Sequence, residues 1–177
     1  MAAAPAGKPI ATLVNYAIHP EVIGAGQGIL SPDLCGPLYD RVEAKAGGIA
    51  LFMNGAQGGM VTADNRRAEG KEANDWEECK RIGTLLADEA LRIIEEAPVQ
   101  ENADVYCTVR TIQFPVDSEM MRYILTHSPL NFNKNGQDTE HITTQVYILN
   151  IGTAQVLTIP GEALPNIGYY LKRNMPT

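Results

Sequence analysis

The chain has 177 residues, 45% of them hydrophobic, which is enough for one globular domain with a core and short for two. Its formal net charge of −7 would repel a phosphate backbone, so DNA or RNA is not expected as a partner. Cys35, Cys79 and Cys107 form no CxxC and cannot all pair within the chain; buried thiols are expected, not a disulfide scaffold or a cysteine zinc site.

The opening Met1-Ala-Ala-Ala-Pro-Ala-Gly lacks the apolar core of a signal peptide, and no run approaches the length of a membrane span. The expectation is a soluble, untargeted chain with no transmembrane segment. Gly7-Lys-Pro enters a strand almost at once, and the last helical stretch stops at Asn174-Met-Pro-Thr177. Both ends read as cut, which suggests a piece of a longer protein.

Residues 10–18 are apolar with little alternation, as in a strand covered on both faces, and His19-Pro20 ends the run. Gly24 to Gly28 is a loop, Ser31-Pro-Asp33 reads as a helix start, and Gly47-Gly48 closes that helix. A second buried strand, Ile49 to Met53, runs into Asn54-Gly-Ala-Gln-Gly-Gly59. Strand, helix, strand in that order predicts a parallel pair, hence an α/β fold with a mixed sheet and flanking helices in a single domain over residues 1–177.

From Asn74 the period is helical. Trp76, Cys79, Ile82, Leu86, Ala90, Ile93 and Ala97 share a stripe, and the acidic residues, Glu77 and Glu78 among them, form a solvated face. Residues 104–114 alternate as a strand does, and Asp117 begins a capped helix. Ser128 to Glu140 is a polar excursion of the kind that forms a mobile loop. Residues 144–150 and 154–159 flank a short glycine turn as a hairpin, and Glu162 stands where its second strand hands over to a final helix.

His19 and Glu162 each follow a strand-like run, so the two could share one sheet edge. Strands are rigid mounts for metal ligands. An imidazole there ligates zinc through one nitrogen or hydrogen-bonds a backbone group. A carboxylate after Ile159-Pro-Gly must be paired, hydrated, metal-bound or stabilised by the helix that follows. The Gly55–Gly59 loop offers backbone N–H groups for an anion or a developing oxyanion but fits neither Walker nor dinucleotide patterns. Asp33 could orient His19, bind substrate or simply start a helix; His127 and His141 border the polar loop, where solvent-exposed or loop-packing roles are expected rather than ligation.

The order Asn15-Tyr-Ala-Ile-His19-Pro, Leu30-Ser-Pro-Asp33-Leu-Cys-Gly36, Leu51-Phe-Met-Asn-Gly-Ala-Gln-Gly-Gly59 and Ile159-Pro-Gly-Glu162 resembles the catalytic domain of the neutral, non-lysosomal ceramidases and their bacterial relatives, over about residues 8–175. The resemblance implies a zinc-dependent hydrolase of an amide or related acyl bond, with His19 and Glu162 as two zinc ligands. The family's other histidine would precede Met1 and its tyrosine would follow Thr177. Aligning the glycine loop puts Ala56 where ceramidases carry a catalytic serine, so a metal-bound water is the implied nucleophile. Gln57 is then the implied catalytic side chain. Asp33, Gly55, Ala56, Gly58 and Gly59 would line the site for a small or lipid-like amide, such as an N-acylsphingosine. Family members are often exported. The alternative is a non-catalytic α/β fragment that lacks a complete metal site.

Overall fold

A computed structural model describes residues 2–3, 7–60, 62–67, 69–129 and 140–176. The chain forms two compact units, one built from residues 1–98 and 162–177, the other from residues 99–161.

The first unit holds a three-stranded sheet in the order β1 (Ala2–Ala3), β2 (Pro9–Tyr16), β3 (Ile49–Asn54). Strand β1 is antiparallel to β2, and β3 is parallel to it in the register Ala11 to Ile49 through Tyr16 to Asn54. Helix α1 (Cys35–Ala46) makes the crossover, and α2 (Trp76–Glu96) packs beside it. The sheet is mixed and the class is α/β. Strand β1 carries only alanines, which give no strand signal.

The core lies between the helices and one sheet face. Leu38, Val42, Ala50 and Ala87 form one cluster with Val14 and Phe52 against it; Ile18, Val22, Ile23, Leu34, Cys35, Cys79 and Ile82 form another. The opposite sheet face, with Leu13, Ile49 and Leu51, is exposed. Coverage on both faces, expected from the apolar run at 10–18, is therefore not found among the described residues. Parallel strands normally sit between two layers, and this unit provides one.

Helix α1 begins four residues later than Ser31 suggests, because Asp33 adopts a left-handed φ of 51° and its carboxylate is engaged elsewhere. In α2, Asp75 caps the first turn by accepting from Glu78 N–H, and the predicted stripe is buried at Cys79 and Ile82. Its ends, Trp76 and Ile93, are exposed. Glu78 departs from the solvated face. It is 3% exposed, and its carboxylate is held by Arg81 with Arg67 nearby, which keeps it below the usual carboxylate range. Cys35 and Cys79 are buried as expected, whereas Cys107 is exposed. Burial pushes the Cys79 thiol up to about 11.

The second unit is an antiparallel sheet, β4 (Val105–Pro115), β5 (His141–Ile151), β6 (Ala154–Leu157), with α3 (Glu119–His127) between β4 and β5. Strands β4 and β5 pair along their full length, Val105 with Ile151 through Pro115 with His141. Ser118 caps α3 by accepting from Met121 N–H, in keeping with the capped helix expected there. Gly152, at φ 56°, turns the β5–β6 hairpin, and Gln100 holds the turn through Thr153 N–H and Oγ1. The mobile loop expected at Ser128 to Glu140 lies mostly outside the described residues. His127 stacks on Tyr123 and its ring bonds the Tyr123 carbonyl, a local packing role. Among the described residues no helix is long and apolar enough to cross a membrane.

Candidate functional site

Because β2 and β3 are parallel, their carboxyl ends lie at the same edge of the sheet, where open α/β sheets usually carry their ligands. Two bonds stitch that edge: Gly55 N–H donates to Tyr16 O at 3.1 Å, and the Asn15 amide donates to Met53 O at 2.9 Å. The chain leaves β2 through buried Ile18 to His19, and leaves β3 into the glycine loop.

Glu162 reaches this edge by another route. Strand β6 ends at Leu157 and belongs to the antiparallel sheet, so His19 and Glu162 do not share a sheet as their positions after apolar runs suggest. A tight turn follows, with Gly161 N–H donating to Ile159 O across Pro160 and Gly161 at a φ of 149° that glycine alone adopts readily. Glu162 and buried Ala163 then lead to α4 (Pro165–Asn174), whose first turn accepts Pro165 because N–H groups there lack helical partners.

The glycine loop and this segment lock together. Gly58 N–H donates to Ala163 O at 2.9 Å, and a Cβ at Gly58 would lie 2.5 Å from Glu162 O. A Cβ at Gly168 of α4 would lie 2.5 Å from the Ala56 Cβ, so the Ala56 methyl sits against the helix. Gly59 approaches Pro165.

These contacts bring the two expected ligands together. His19 Nε2 is 3.3 Å from Glu162 Oε1, and His19 Nδ1 is 3.4 Å from Met60 O. The side chains are 24% and 66% exposed, so the pair is open to solvent. Both ring nitrogens face acceptors, a carbonyl and a carboxylate. A neutral imidazole carries one N–H and satisfies one of them; the other contact then places two lone-pair atoms together unless a proton or a cation lies between. The hydrogen bond to Glu162 raises the His19 pKa above 6.5.

Asp33 is 5% exposed and accepts from three backbone N–H groups, those of Val22, Ile23 and Leu34, so both its oxygens are engaged away from any substrate. Gly55 and Gly58 likewise spend their N–H groups on Tyr16 O and Ala163 O, which removes both as oxyanion donors. The Gln57 carbonyl donates order to the loop by accepting from Met60 N–H at 2.8 Å, while its side-chain oxygen is buried without a partner. Sequence reasoning missed Met60 and Ala163, which act through main-chain carbonyls that no side chain advertises. Gly168 had a signal, a glycine inside a helical stretch.

The donors fit zinc in kind and spacing. Two ligands at about 2.0–2.2 Å from one tetrahedral ion stand roughly 3–4 Å apart, and a carbonyl on the second imidazole nitrogen is the usual way to fix the tautomer of a metal-binding histidine. In number the set is incomplete. Among the described residues no group of three His, Cys, Asp or Glu side chains is placed to hold a metal. No protein-family model matches the chain, and neither does any curated protein.

Proposed function

We propose that His19 and Glu162 are two ligands of a zinc centre of the ceramidase-like kind, serving hydrolysis of an amide or related acyl bond in a small or lipid-like molecule. The observation that carries this reading is the imidazole with acceptors at both nitrogens, 3.4 Å from Met60 O and 3.3 Å from Glu162 Oε1. With Nδ1–H donated to the Met60 carbonyl, the Nε2 lone pair is left beside a carboxylate, an arrangement that a cation relieves. By the family resemblance such a centre takes two further ligands, a histidine and a tyrosine, that are not assigned among the residues of this sequence.

The chain's own residues would then divide the work. His19 and Glu162 hold the ion, Met60 O faces the second ring nitrogen, and Gly58 sets the approach of Glu162 through Ala163 O. The Gln57 side-chain oxygen, buried without a partner, is a polar group left over in the glycine loop, and Ala56 brings no hydroxyl at its position. When bound, zinc supplies Lewis acidity, polarising a carbonyl and lowering the pKa of water.

A second reading is a non-catalytic fragment in which His19 and Glu162 form only an ion pair; the presence of just two donors among the described residues favours it. Zinc titration of the chain labelled with 15N at histidine separates the two. Selective movement of the His19 signals, lost in Glu162→Ala, supports the metal site. His19 signals unmoved at about millimolar zinc would sink it, since that affinity is worth only about 4 kcal/mol.

A further inference from the structure

We infer that Asp33 is a positioning residue for the His19 ring, an inference that rests on reading His19 and Glu162 as metal ligands. Asp33 is the one non-glycine residue with positive φ among the described residues, at 51°, and its carboxylate is buried with no ion pair among them. A carboxylate removed from water without a cation needs strong donors. It has them in the backbone: Val22 N–H at 3.0 Å and Leu34 N–H at 2.7 Å on one oxygen, Ile23 N–H at 2.9 Å on the other. Ser31 Oγ in turn accepts from Asp33 N–H at 2.8 Å, which supports the left-handed turn.

The consequence falls on the segment between. Ile18 is buried on one side of His19, and Val22 and Ile23 are buried on the other, with their amides tied to Asp33. His19, Pro20 and Glu21 therefore form a short arch clamped at both feet, with proline restricting its backbone. The ring at the front of that arch makes two long contacts, to Met60 O and Glu162 Oε1, neither strong enough to hold it alone. Its orientation is set by the arch, and Asp33 fixes the far foot. Asparagine at 33 would keep the shape and one acceptor oxygen but lose the second, releasing Val22 or Ile23 N–H.

The test reads the ring without metal. In the chain labelled at histidine side-chain nitrogens, at about pH 9 where imidazole is neutral, the metal-free wild-type His19 is expected to hold one tautomer, with Nε2–H donated to the Glu162 carboxylate, the stronger of its two acceptors. Asp33→Asn should move its nitrogen shifts toward those of an unrestrained imidazole. Val42→Ala, which removes core volume in α1, should leave them in place. Wild-type shifts in Asp33→Asn, or an equal movement in Val42→Ala, would overturn the inference. If Asp33→Asn does not fold, Ser31→Ala is read the same way, with a smaller movement expected and no movement overturning it. Failure of zinc to move the wild-type His19 signals is a separate outcome: it removes the metal reading, whatever the tautomer shows.

Discussion

In the metal-free protein the neighbouring Glu162 carboxylate is the main cause of the raised His19 pKa, ahead of the opposing effect of desolvation. A raised folded pKa means the pair stabilises the fold below the unfolded value of 6.5, and that this contribution is lost as pH rises through the folded pKa. Glu162→Gln should bring the His19 midpoint down toward 6.5, read by the pH dependence of its ring signals; an unchanged midpoint would mean that the contact does not form in solution. Gly58→Ala tests the same contact from the backbone side. Its Cβ would meet Glu162 O at 2.5 Å, so the 162–163 segment must retreat, with a cost of about 1–3 kcal/mol and loss of the His19 shift that depends on Glu162. His19 and Glu162 were legible because each ends an apolar run, a position where a polar side chain needs a reason. Met60 and Ala163 were not, because a carbonyl contributes the same way from any residue.

Single elements show where pattern suffices and where it fails. Asp75 before an amphipathic run is a readable cap, and Asp75→Ala should cost about 1 kcal/mol in thermal unfolding, by loss of its bond from Glu78 N–H and of the Arg67 pair. Strand β3 was legible as a strand but not as one covered on a single face. Leu51 is 47% exposed, while its neighbour Phe52 packs on the core. Leu51→Lys should change stability by no more than about 0.5 kcal/mol, whereas Phe52→Ala should cost about 3 kcal/mol, a contrast that denaturant titration resolves. A continuous apolar run cannot distinguish these cases, since burial depends on what the rest of the chain brings to each face. Ser31-Pro-Asp33 misled for a related reason: the same residues that cap a helix can serve a partner eleven residues upstream, and local sequence does not say which.

Across the molecule, the α/β class and the parallel β2–β3 pair were readable from element order, while the separate antiparallel sheet was not, because hairpin signals say which strands pair and not which sheet they join. The first unit is built from two stretches of chain, with residues 99–161 forming the second. On the proposed function, zinc should slow amide hydrogen exchange around His19, the Gly55–Met60 loop and the start of α4, and leave β4 and β5 unchanged. Equal protection in both units, or none in either, would count against a site placed at His19 and Glu162.

The sequence separation of 143 between His19 and Glu162 also sets an order of events. During synthesis on the ribosome, β2, α1, β3 and α2 emerge and can pack while the glycine loop still lacks Ala163 O and the imidazole still lacks its carboxylate. The pair can close only after the whole β4–β6 segment has been made, so a nascent chain released before Glu162 would carry a folded sheet edge with its loop unanchored.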